Sequence, residues 1–260
     1  MQFLVGSLHF IGCPEEIMKF HKKSNNNVIA IMGTWDPVLP RHKALFKKLI
    51  SYSKKKALNP YIIIFYPNPA NFIHENRYKD YFDLDARIEL FKHLGINNII
   101  IVEFEREDLR RSATDFFNEL FKGTHIVLNE LWIGENQSFG TGPEGIFSIR
   151  TECADRGINL KILKNSFLVN LDKESVYGNF NEGKLEPASA IVGYYPTYKL
   201  KVDLQINMHD GIYNAGLRIR PFDKTNEIAV TVKIVNQKIE EIKRPDGYNW
   251  LILFERIDTI

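Results

Sequence analysis

Gly33, Asp36, Pro40, Arg41 and His42 fall within ten residues, in the stretch GTWDPVLPRH. These residue types at this spacing suit anion binding. Gly33 follows the apolar run VIAIM, and a glycine lets the chain turn sharply there. Pro40 suits the first turn of a helix, and the run KALFKKLISYSKKK continues with lysines opposite an apolar face. The unsatisfied N–H groups and dipole of a helix start attract phosphate. His42, in that first turn, can offer an N–H, and Arg41 beside it adds charge. Phosphate contact, rather than acid–base work, is the role this position supports. The bland alternative is a plain strand-to-helix loop, with Asp36 capping the residues that follow.

Elements able to hold such a turn recur along the chain. Val28–Met32, Tyr61–Phe65, Asn98–Phe104, His125–Ile133 and Asn159–Leu163 are apolar and rich in Ile and Val. Near-continuous runs of this kind predict strands buried on both faces. Between them, Leu45/Phe46/Leu49/Ile50, Leu84/Ile88/Phe91/Leu94, Phe116/Phe117/Leu120/Phe121 and Ile146/Ile149/Cys153 keep helical spacing. Strand and helix alternate, which predicts an α/β fold with a doubly wound parallel sheet and right-handed crossovers. Ligands of such sheets bind at the carboxyl ends of the strands, where Gly33 lies.

The pattern changes near Gly193–Thr197. LKVDLQINM, GIYNAGLRIR, IAVTVKIV and WLILFERI read as short strands separated by HDG, PFDKTN and RPDG turns. We therefore expect residues 1–195 to form the main domain and 196–260 a small antiparallel β domain. The latter is marginal in size for independent stability.

Composition narrows the function classes. The 260 residues carry a net charge of +2, so no global field calls for nucleic acid or an acidic membrane. Lys47, Lys48, Lys54, Lys55 and Lys56 read as a solvated helix face. Cys13 and Cys153 stand far apart, without metal-ligand spacing. Unpaired thiols fit a reducing compartment, and the apolar N-terminal stretch reads poorly as a signal peptide or a membrane span. The expected location is the cytoplasm. His9, His21, His74, His93, His125 and His209 are scattered and read as surface or core residues.

The quoted turn resembles the nucleotidyltransferase signature G-[ST]-F-D-P-x-[HT]-x-G-H, with Gly33, Thr34, Trp35, Asp36 and His42 in register. Further stretches follow in order: FYPNP (Phe65–Pro69), LDARIELFKHLGI (Leu84–Ile96), FEREDLRRSATDFF (Phe104–Phe117) and IGENQSFGTGPEG (Ile133–Gly145). Together they resemble the bacterial bifunctional riboflavin kinase/FMN adenylyltransferase, or FAD synthetase, family over roughly residues 28–197. The resemblance implies a Rossmann-like nucleotidyltransferase domain that transfers AMP from ATP to FMN with Mg²⁺, releasing pyrophosphate. It implies small-molecule partners, a nucleotide and a flavin (FMN/FAD), and is compatible with a homo-oligomer. It places His42 at the chemistry, and Gly33, Thr34, Trp35, Asp36, Gly134, Asn136, Phe139 and Gly140 would be on the nucleotide. Arg41, beside His42, and Lys173 stand at positions that depart from the family, and their charge makes them candidates for the chemistry and for the nucleotide, respectively. Phe65, Pro67, Asn68 and Pro69 would be near the flavin.

The departures fall on the chemistry. The first His of H-x-G-H is Leu39, the Gly before the last His is Arg41, and the His of F-x-P-H-P is Asn68. The family's I-S-S-T-x-x-R grip on the triphosphate reads LDKESVY, Leu171–Tyr177, so Tyr177 stands where the family has Arg. Loss of such donors removes about 2.7–4 kcal/mol of transition-state stabilisation each. The tail resembles part of a riboflavin kinase barrel, but P-T-A-N is absent and Thr231 replaces the catalytic Glu. The sequence therefore supports two readings: a FAD synthetase-like nucleotidyltransferase, and a homologue that binds flavin or adenine nucleotide without turnover. A third, that the fold is kept only as an interaction surface, is the weakest in motif support. Riboflavin kinase activity is not expected.

Overall fold

The computed structural model describes residues 2–5, 8–11, 27–73, 80–122, 126–135, 145–164, 171–201, 204–206, 208–240 and 242–258. The chain forms two compact units. One comprises Met1–Thr34, Ala44–Arg77 and Leu94–Leu168; the other Trp35–Lys43, Tyr78–His93 and Val169–Ile260.

The first unit is built on a seven-stranded sheet. Its strands are β1 (Gln2–Val5), β2 (Leu8–Ile11), β3 (Asn27–Gly33), β4 (Asn59–Tyr66), β5 (Asn98–Glu103), β6 (Val127–Gly134) and β7 (Asn159–Leu163). They lie in the order β1-β2-β5-β4-β3-β6-β7. The last five are parallel, and β1 and β2 add an antiparallel hairpin at the β5 edge. The expected α/β parallel sheet is therefore present, with an N-terminal hairpin that the sequence reading did not anticipate. Ile29, Ile31, Ile62 and Ile64 are fully buried, the burial on both faces that continuous apolar runs demand. Crossovers use helix α1 (Pro40–Lys56), the short α2 (Ala70–Ile73), α4 (Ala113–Phe121) and α5 (Gly145–Asp155). Phe46, Leu49 and Ser53 make the buried stripe of α1, and Phe116, Phe117 and Leu120 that of α4. Ser112 caps α4, its hydroxyl accepting from the Asp115 N–H at 3.0 Å.

The second unit carries α3 (Leu84–His93), α6 (Leu171–Asn181), α7 (Leu185–Val192) and a five-stranded antiparallel sheet. Its strands are β8 (Thr197–Lys199), β9 (Gly211–Arg218), β10 (Ile228–Val235), β11 (Lys238–Ile239) and β12 (Trp250–Asp258), in the order β11-β10-β9-β12-β8. GIYNAGLRIR, IAVTVKIV and WLILFERI are strands as expected. LKVDLQINM is not: its described residues contribute a single bridge, Gln205 to Lys238. That bridge meets the two-residue β11, and Ile206 and Met208 are buried outside any strand. The edge strand opposite β11 is β8, three residues that pair with β12.

Candidate active site

Three central strands deliver their carboxyl ends side by side in the first unit. β3 ends at Gly33, which pairs in register with Ile64, one residue before Phe65. β6, the neighbour on the other side of β3, ends at Gly134. Gly33, Phe65 and Gly134 are thus brought to one edge of the sheet, the edge where open parallel sheets bind ligands. Beyond β4 the chain reads Tyr66, Pro67, Asn68, Pro69. Phe65 is only 8% exposed and packs against Phe104 and Phe116, ring centroids 6.1 and 5.9 Å away. Asn68 is buried, and its Oδ1 accepts from the Ala70 N–H at 3.1 Å, capping α2. Pro67 is exposed and Pro69 half-buried. Asn136, Phe139 and Gly140 lie outside the described residues. Lys173 lies in α6, and its side chain is likewise outside the description.

The second unit holds the residues that follow Thr34. Trp35 has φ of +53°, a region that costs a non-glycine residue about 1–2 kcal/mol. Asp36 and Pro37 are joined by a cis bond, and α1 starts at Pro40. The Leu39 N–H donates to His42 Nδ1 at 3.1 Å. In the neutral ring that bond leaves the proton on Nε2. The Trp35 ring meets the imidazole edge-on, at 5.3 Å and 84°. Arg41 sits half-buried beside it, in the first turn of a 17-residue helix. Val38 and Leu39 are fully buried. Leu39 therefore packs where the signature carries an outward His.

Asp36 organises this turn from inside. It is 3% exposed. Its Oδ2 accepts from the Tyr81 N–H at 2.8 Å and its Oδ1 from the Phe82 N–H at 3.1 Å. Burial pushes its carboxyl up to about 7, opposed by the Arg87 guanidinium and reinforced by Asp80. Arg87 is itself fully buried, 3.6 Å from Asp80. The Tyr177 hydroxyl donates to the Asp36 carbonyl at 2.8 Å, so the residue at the family's Arg position is spent on the turn's backbone. Tyr81 extends the web, donating to the Tyr194 carbonyl at 2.9 Å and sharing a 3.1 Å bond with Ser189.

Lys43, next to His42, also faces inward. Its ammonium donates to the Val192 carbonyl at 2.9 Å, at the end of α7, and lies 3.8 Å over the Tyr194 ring. Burial lowers its pKa to about 8. Tyr81, Arg87, Tyr177, Ser189 and Lys43 were not singled out as functional residues by sequence reasoning. Apart from the Arg87–Asp80 pair, their hydrogen bonds around Asp36 and to Val192 join positions 45 to 149 apart, and no local pattern announces that.

A protein-held Mg²⁺ is not matched by these residues. Among the described residues no group of three or more His, Cys, Asp or Glu could hold a metal, and both oxygens of Asp36 are engaged. Nor is any helix of the described residues long and apolar enough to cross a membrane.

A parallel sheet with a glycine turn leading into a helix start fits the nucleotidyltransferase class of α/β proteins. Within it, the FAD synthetase family model matches residues 21–176, and the chain belongs to that family. It is similar to the bifunctional riboflavin kinase/FMN adenylyltransferase of Buchnera aphidicola, 23% identical over 217 residues, 74% of this chain and 69% of that protein. The protein of the same name from Listeria monocytogenes is 23% identical over 177 residues, covering 66% of this chain and 56% of the relative. For that of Escherichia coli K12 the values are 25% over 120 residues, 46% and 38%. The chain thus spans between 38% and 69% of these relatives' length. Among solved structures, one described as a macrolide-efflux protein from Streptococcus pneumoniae shares the fold. Its TM-score is 0.62 at 13% identity, over 91% of this chain and 87% of that one.

Proposed function

We propose that this chain is a FAD synthetase-like nucleotidyltransferase that transfers AMP from ATP to FMN or a related phosphate acceptor. The observation that carries the reading is the His42 ring. Its Nδ1 accepts from the Leu39 N–H, which fixes the ring in the first turn of a 17-residue helix, where anions bind. In the reaction, an oxygen of the acceptor phosphate attacks the α-phosphorus of ATP. The new P–O–P bond forms as the bond to the β-phosphate oxygen breaks, and pyrophosphate leaves with the electron pair. Positioning and charge stabilisation supply the rate enhancement. His42 and Arg41 face the phosphates. Gly33 and Thr34 allow close backbone approach, while Trp35 and Asp36 fix the turn. Gly134, Asn136, Phe139, Gly140 and Lys173 serve the nucleotide. Phe65, Pro67, Asn68 and Pro69 line the flavin side, with Pro67 as the exposed contact. The divalent ion belongs to the ATP substrate rather than to a set of protein carboxylates.

A second reading is favoured by two observations: Leu39 is fully buried, and Tyr177 is committed to the Asp36 carbonyl. Two positions that touch phosphate in the family serve the interior here. The same site then binds flavin or adenine nucleotide without turning it over. Purified protein incubated with FMN, ATP and Mg²⁺, with FAD quantified by chromatography, separates the two. FAD formation lost in His42→Ala supports transfer. No FAD from a folded protein that still binds FMN or ATP leaves the binding reading.

A further inference from the structure

The second unit contains two adjoining clefts that share Phe222 and Lys224. One, of about 340 Å³, is walled by the rings of Tyr194, Tyr195 and Phe222. The other, of about 550 Å³, is lined by Lys92, His93, Arg220 and Lys224, against Glu89 and Asp223. Both volumes fall within the usual range for small-molecule sites, about 300–1,000 Å³.

Phe222 stands between the two clefts. Tyr194 meets it edge-on at 5.2 Å, and His93 lies tilted against it at 5.9 Å. The segment that carries it is anchored, because buried Arg218 is paired with Glu227 and donates to the Pro221 carbonyl at 2.9 Å. Both carboxylates of the second cleft are committed. Glu89 pairs with Lys92 at 2.7 Å, and Asp223 accepts from the N–H and hydroxyl of Thr225. Arg220 and Lys224 are exposed and form no ion pair among the described residues. An aromatic-walled cleft thus opens beside two exposed cations, Lys224 and Arg220, the latter also near the Asp223 carboxylate.

We propose that these clefts form a second ligand site, for a planar aromatic ring carrying a phosphate monoester. The ring lies against Tyr194 and Phe222, and the phosphate faces Arg220 and Lys224. Aromatic faces take rings of any kind, while Arg and Lys select for the phosphate. None of these four residues belongs to the GTWDPVLPRH turn.

Calorimetric titration of the full chain with AMP tests this, with FMN as a second probe. The His42→Ala variant is expected to keep one site for at least one of the two probes. Arg220→Gln with Lys224→Gln weakens that site tenfold or more, and Phe222→Ala does the same. The unphosphorylated probe, adenosine or riboflavin, binds at least tenfold more weakly than its phosphate, and the difference shrinks as salt rises. The proposal is overturned if His42→Ala abolishes all binding of both probes. It is equally overturned if the Arg220/Lys224 variant, folded by circular dichroism, binds like wild type. Any FAD formation is unchanged in the Phe222 and Arg220/Lys224 variants. Absence of FAD formation in wild type bears only on the transfer reaction.

Discussion

At the scale of the residue, Asp36 carries the most distinctive prediction. Its folded carboxyl titrates near 7 because burial outweighs Arg87, whereas an unfolded Asp titrates near 3.9. Between those values the native state holds the extra proton, so stability is full below about 4 and falls as pH rises toward about 7. Asp80 and Asp83 are raised by burial too, and push in the same direction. Urea midpoints measured across this window should decline with pH, and Asp36→Asn should flatten part of the slope. A midpoint that rises from pH 4 to 7 would contradict the assignment. Tyr177 gives a second test. Tyr177→Phe deletes one buried hydrogen bond and leaves the Asp36 carbonyl short of a donor, a loss of about 1–3 kcal/mol. Loss well below that, in denaturant unfolding, would mean the carbonyl has another partner. The sequence exposed Gly33, Asp36 and His42 because the turn is local. It hid what Asp36 does: rather than capping the residues after it, the carboxylate holds Tyr81 and Phe82.

Among the elements, the end of α7 is the informative joint. Gly193 closes it at φ of +81°, its N–H bonded to the Ser189 carbonyl, which only glycine does without strain. A Cβ there would lie 3.1 Å from Lys43 Nζ. Gly193→Ala should therefore destabilise by about 1 kcal/mol from backbone conformation, with an added share from crowding. In a double-mutant cycle, Lys43→Met should relieve that share; strict additivity would show that the ammonium does not press on the cap. Element types were read well wherever periodicity was strong, as in β3 to β7 and α4. They were missed where pairing alone decides. β8 is three residues after a proline, and β1–β2 lies in a stretch whose apolar character does not reveal a hairpin. The alternation in LKVDLQINM was real, but among its described residues only Gln205 pairs, with Lys238 of the two-residue β11.

Taken as a whole, the molecule has the parallel sheet of a nucleotidyltransferase, while Leu39 and Tyr177 serve its interior. The parallel sheet was legible because buried strands need continuous apolar runs. The web around Asp36 was not, since it joins segments far apart in sequence. Each unit has its own buried core, and Cys153 lies in that of the first, 1% exposed. Burial raises its thiol to about 11, so the thiolate is scarce at neutral pH. Native protein at pH 8 should leave Cys153 unmodified by a thiol reagent, as read by peptide mass spectrometry, until denaturant opens that core. Rapid modification in buffer would show that the sheet and α5 part readily.

The edge contact between Trp35 and His42 has an optical consequence. The chain has three tryptophans; Trp132 and Trp250 are buried at 0% and 7% exposure, and Trp35 is half-exposed. The turn proposed to hold phosphate therefore carries its own fluorophore, in ring contact with His42. Emission from a Trp132→Phe/Trp250→Phe protein would report occupancy of the turn directly, without label or turnover. It would follow binding equally well whether or not the bound nucleotide goes on to react.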